Sequence, residues 1–76
     1  MYRFLVIIEE GDNSYGAYPP DLPGCVAVGR TREEVEKNMR EAIAMHIQGM
    51  LEDNEPIPNS CNDAEFMDIS LPNTAA

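Results

Sequence analysis

Apolar side chains at the start of the chain alternate in a way that suits an extended segment. Tyr2, Phe4, Val6 and Ile8 fall on one face, and Leu5 and Ile7 fall on the other. Aromatic and β-branched, the run predicts a first strand over Tyr2–Glu9, stopped by the turn signal Gly11-Asp12-Asn13. Apolar residues on both faces imply that neither side of this strand is fully solvated. Asn13–Tyr18 predicts a second strand, and the short turn makes the pair an antiparallel hairpin. Cys25–Gly29 predicts a third, with Val26 and Val28 opposite in orientation to Cys25 and Ala27. Between the second and third lies Pro19-Pro20-Asp21-Leu22-Pro23-Gly24, whose three prolines remove three backbone donors and fix three φ angles. No ladder passes through such a segment, and its stiffness means little entropy is lost in holding its shape.

The period then changes from 2 to 3.6. Thr31 is a helix N-cap candidate with Glu34 three residues on, the pattern of a capping box. Glu33, Glu34 and Glu36 place negative charge at the positive end of the helix dipole. Val35, Met39, Ala42, Ile43, Ile47 and Met50 recur at helical spacing. Arg32 with Glu36, Glu36 with Arg40, and Lys37 with Glu41 form ion pairs on the other side. The helix is expected from Arg32 to about Glu52, with Gly49 a weak point. Asp53–Ala64 reads as a surface connection. Glu65–Leu71 alternates again, with Met67, Ile69 and Leu71 on one face, and predicts a last strand.

The expected order is β-β-β-α-β, an α+β fold: a three-stranded antiparallel meander plus a fourth strand, with one helix on one face. Residues 1–71 form one domain and 72–76 a frayed tail. One helix covers one face, so Leu5 and Ile7 need a second cover. A homodimer or tetramer supplies it, with Leu5, Ile7 and His46 at the interface. A chain of this length buries only about 60% of the surface its unfolded form exposes, which favours self-association.

Composition narrows the function. Fourteen acidic against five basic residues give a net charge of −9. Phosphate contacts need clustered Lys and Arg, so direct nucleic-acid binding is not expected, nor attraction to an anionic membrane. A negative field attracts and orients a basic partner. The first apolar run is too short to span a membrane and no cleavage signal follows it, which points to a cytoplasmic protein. Cys25 and Cys61 lack metal-ligand spacing and read as two reduced thiols.

Candidate chemistry is sparse. His46, the single histidine, lies within the helical apolar stripe, with no serine, cysteine or acid placed to form a triad. It reads as a packed or interface residue. Cys25 has no neighbour that would lower its pKa except Arg30, and reads as a small strand residue. Asp21 and Leu22, on a stiff loop, are suited to partner contact. Glu9, Glu10, Asp12 and Asp21 are expected to gather near the hairpin turn and that loop, where they would meet a basic partner.

Tyr15, Ala17, Tyr18, Pro20, Asp21, Leu22, Pro23, Gly24 and Cys25, followed by Gly29, Thr31 and Glu34, resemble the pattern of HicB-like antitoxins. The segment Asn38–Ile43 fits too, and the likeness runs from about Tyr2 to Pro58. The resemblance implies a partial ribonuclease-H-like fold and the role of neutralising half of a toxin–antitoxin pair. The partner it implies is a small basic HicA-like toxin that cleaves mRNA and whose active site the antitoxin covers. Many members carry a further DNA-binding domain; the expectation here is a single-domain member without one. A ribonuclease-H outline also raises nuclease chemistry, which needs inward carboxylates in the first strand. Phe4, Leu5, Val6, Ile7 and Ile8 supply none, so no catalysis, metal or cofactor is expected. The alternative is a stand-alone oligomer of the same fold, binding a small ligand between subunits.

Overall fold

A computed structural model describes residues 1–72; residues 73–76, most of the expected tail, lie outside the described residues. β1 (Ile7–Glu10) and β2 (Tyr15–Tyr18) form the hairpin, with Ile7 opposite Tyr18 and Glu10 opposite Tyr15. The Gly11 N–H donates to the Ser14 carbonyl at 2.7 Å and closes the turn. β3 (Ala27–Gly29) pairs antiparallel with β2, giving a three-stranded sheet in the order β1-β2-β3.

β1 and β3 are shorter than the apolar pattern predicts, and the prolines account for it; β2 loses Asn13 and Ser14 to the hairpin turn. Ile7 opposite Tyr18 is the last β1–β2 pair, so continuing the ladder would set Val6 against Pro19 and Leu5 against Pro20. Continuing β3 backward would likewise set Cys25 against Pro19. Proline has no N–H to give, and the chain turns instead: the Leu22 N–H donates to the Pro19 carbonyl and the Cys25 N–H to that of Leu22. Tyr2–Val6 and Cys25–Val26 therefore stay outside the ladder.

α1 (Arg32–Glu52) matches its expected bounds. The Thr31 hydroxyl oxygen accepts from the Glu34 N–H at 3.0 Å, and the Glu34 carboxylate accepts from the Arg30 N–H at 2.7 Å. The reach back thus goes one residue beyond the cap itself. At the other end the Asn54 N–H donates to the Leu51 carbonyl and the Glu55 N–H to that of Met50, with Asn54 at φ 56. This is a Schellman ending with asparagine in the left-handed position.

The helix covers one face of the sheet. Ile8, Ala17 and Ala27 lie side by side on the inner face, and with Leu22, Cys25, Val35, Met39 and Ile47 they make the core. Val35 is fully buried. Asn38 Nδ2 donates to the Val28 carbonyl at 2.8 Å and ties helix to strand.

The fourth strand expected over Glu65–Leu71 does not form among the described residues. Alternation marks which face a strand would bury, but a strand exists only with a ladder partner, and this segment has none. Its Phe66, Met67, Ile69 and Leu71 are exposed. The observed unit is β-β-β-α, an α+β fold.

Candidate functional site

The alternation of β1, β2 and β3 determines what the uncovered sheet face carries. Ile7 and Tyr18 oppose each other there, and Glu9, Gly16 and Val28 follow in the next row across the three strands. Val26 lies beyond, on the same side. Val26 and Val28 are 67% and 69% exposed, and Gly16 has open space above it. The result is an apolar patch bordered at its hairpin end by exposed Glu9, with exposed Glu10 and Asp12 beyond it.

The expected gathering of four acids is corrected by this geometry. Glu9, Glu10 and Asp12 stand at the turn end of the hairpin, while Asp21 follows the opposite end of β2. β2 lies between them, about 10 Å at the usual strand rise. A hairpin puts its turn and its next connection at opposite ends, so Asp21 belongs to a different cluster.

There Asp21 has a structural job. Its Oδ1 accepts from Asn62 Nδ2 at 2.7 Å and from the Cys61 thiol at 3.5 Å, tying the loop to the segment after the helix. Its Oδ2 is buried without a partner among the described residues. Leu22 is another correction: its side chain is 1% exposed and packs in the core, so it supports the loop from beneath and offers no contact surface. Gly24 takes the positive φ of 84° that closes the loop.

The residues expected at an oligomer interface do not share one surface. Leu5 and Ile7 are half-buried and alternate away from Phe4, Val6 and Ile8, which pack on the core. His46 is half-buried on α1, the opposite layer. The helix packs on the opposite side of the sheet from Leu5 and Ile7, so one flat contact does not hold all three.

Neither thiol is set up as a nucleophile. Cys25 is buried in the core, and loss of solvent pushes its pKa up. Cys61 is exposed beside the Asp21 carboxylate. Among the described residues no group of three His, Cys, Asp or Glu side chains is placed to hold a metal ion. No described helix is long and apolar enough to cross a membrane.

The chain matches the family described as HicB-like antitoxin of a bacterial toxin–antitoxin system over residues 4–72. It is 46% identical over 72 residues to an uncharacterized 14.9 kDa protein of the rep-hol intergenic region of Haemophilus phage HP1. That likeness covers 87% of this chain and 54% of the phage protein, so the chain spans about half the length of this relative. The fold is similar to the crystallised N-terminal domain of the Burkholderia pseudomallei antitoxin HicB, with a TM-score of 0.68 and 32% identity over 76% of this chain and 69% of the other. It is also similar to a chain of a HicA3 and HicB3 toxin–antitoxin complex, with a TM-score of 0.66 and 30% identity over 79% of this chain and 70% of the other.

Proposed function

The chain belongs to the HicB-like antitoxin family of bacterial toxin–antitoxin systems, and from that premise we propose that it is a non-catalytic antitoxin that binds and masks a small basic HicA-like toxin. The observation that carries this reading is the uncovered sheet face, an apolar patch bordered by acids on a protein of net charge −9. Tyr18, Val26 and Val28 offer apolar area whose burial favours association, at about 25 cal/mol per Å² before the losses of binding. Glu9, Glu10 and Asp12 at the rim attract a basic partner and set its orientation. The likeness to a chain of a HicA3 and HicB3 complex supports a partner of that kind. Asp21 and Leu22 act one step back, by holding the loop beside the patch.

The test is binding of a small basic HicA-like toxin, sought among the gene neighbours of this chain, followed by its mRNA cleavage with and without the antitoxin. Stoichiometric binding that abolishes cleavage, and that Val28→Asp weakens at least tenfold, is the expected result. A second reading, a stand-alone oligomer with a small ligand, draws on an open apolar groove of about 700 Å³ between the first residues and the helix. Absence of any toxin binding by the folded protein would favour it.

A further inference from the structure

The groove and the exposed final segment fit each other. The groove is lined on one side by Tyr2, Phe4 and Val6, which found no ladder partner, and on the other by Ile43, Ile47 and Leu51 of the helix. Arg3 and Arg40 stand at its rim. Arg3 has no ion pair among the described residues, and Arg40 has only a 4.0 Å contact to Glu36. The segment Glu65–Leu71 carries the complement. Met67, Ile69 and Leu71 alternate on one face at 68–75% exposure, and Glu65 and Asp68 supply the opposite charge.

Lengths agree as well. Seven extended residues span about 23 Å at 3.3 Å per residue. The groove follows the first six residues, about 20 Å, and the helix from Arg40 to Leu51, about 17 Å at 1.5 Å per residue.

We propose that Glu65–Leu71 of one chain enters this groove on a second copy of the same chain, and that the exchange is reciprocal in a two-fold dimer. The segment would then be the missing fourth strand, supplied in trans beside Tyr2–Val6. A second copy is favoured over the segment's own groove by where the chain goes after its last anchor. Asn62 is held by Asp21, and Asn59–Asp63 already lies along the other side of Arg3–Val6. From there the chain leaves the body: the radius of gyration is 16.5 Å and the longest dimension 59 Å, against about 11 Å for the radius of a compact chain of this length. The exchange buries Met67, Ile69 and Leu71, three exposed apolar side chains that otherwise have no cover, and leaves the outer sheet face free. It does not depend on the antitoxin reading.

The experiment uses the full chain and two variants at exposed positions, Ile69→Asp in the segment and Leu51→Asp in the groove. Each should keep its helical circular dichroism and run as a monomer by light scattering, where the unaltered chain is a dimer that dissociates on dilution. Mixing the two variants should restore a heterodimer by native mass spectrometry, because one intact segment then meets one intact groove. A monomeric unaltered chain overturns the proposal. So does a dimer that both variants leave intact, or folded monomeric variants that form no heterodimer on mixing.

Discussion

Gly29 lies directly against the Val35 backbone at the start of the helix: a Cβ on Gly29 would meet the Val35 nitrogen at 2.6 Å and its Cα at 2.9 Å. Backbone cannot yield as a side-chain tip does, so the helix start would have to lift off β3. Gly29→Ala is expected to destabilise by about 1–3 kcal/mol, the range of overpacked cores, read as a lowered urea midpoint. Gly24→Ala is the informative contrast. Nothing crowds its Cβ, but its φ of 84° is disfavoured for any L side chain. A loss of about 1–2 kcal/mol is expected there from the backbone alone.

The helix start offers a second measurement. Thr31 accepts from the Glu34 N–H, which the helix itself leaves free, and the Glu34 carboxylate accepts from the Arg30 N–H just before the cap. Thr31→Ala should lower stability by about 1 kcal/mol, and Thr31→Ser should restore most of it. Glu34→Gln should fall between, since it keeps the acceptor and loses the charge near the dipole.

These elements also show what the sequence made legible. The helix was readable to the residue because its signals are local: Thr31 and Glu34 at the start, the Val35–Met39 spacing, and Pro56 soon after the end. The strands were overdrawn because a strand's length depends on what stands opposite, and Pro19 faces both ladders. Leu22 looked like a contact residue because polar, proline-rich loops usually ride on the surface; nothing local told that this one turns its leucine inward. The Asp21–Asn62 bond joins residues 41 apart, and Gly29 under Val35 depends on how helix meets sheet. Contacts of that kind have no sequence period. Asn54 followed by Pro56 did carry a signal for the helix ending, since asparagine tolerates the left-handed position.

The two thiols should differ in reactivity. Cys61 is exposed and should react with a thiol reagent in the folded chain, whereas buried Cys25 should react only when the chain opens. Burial raises the Cys25 pKa, so the folded chain holds this proton more tightly than the unfolded one. The resulting contribution is present in full below the unfolded thiol range, about 8.5, and declines as pH rises through the higher folded value. Urea midpoints compared from neutral to alkaline pH should fall more steeply for the unaltered chain than for Cys25→Ala. Equal slopes would mean that Cys25 is solvated.

Asp21 connects the proline loop to the segment after the helix, so its loss should act at a distance in sequence. Asp21→Ala frees Asn62 and the Cys61 thiol, and removes an oxygen that is buried without a partner. The two effects oppose each other, so global stability should change by no more than about 1 kcal/mol. Hydrogen exchange or proteolysis across Asn59–Ala64 should nevertheless speed up several-fold. An unchanged rate there would show that Ile57, packed against the core, holds the segment without help.

Because the acids divide into two clusters, charge reversal should separate steering from scaffolding. Glu9→Lys with Glu10→Lys changes only exposed positions at the hairpin end, next to the open sheet face. The pair should slow association with a basic toxin about tenfold at low salt and flatten the dependence of the rate on ionic strength, with stability unchanged. Asp21→Lys sits beyond the other end of β2 and breaks the tie to Asn62. It should loosen the Asn59–Ala64 segment and alter the association rate far less. If the two sets of reversals slow association equally, the toxin meets the whole length of the sheet face, and the hairpin end has no special part in guiding it.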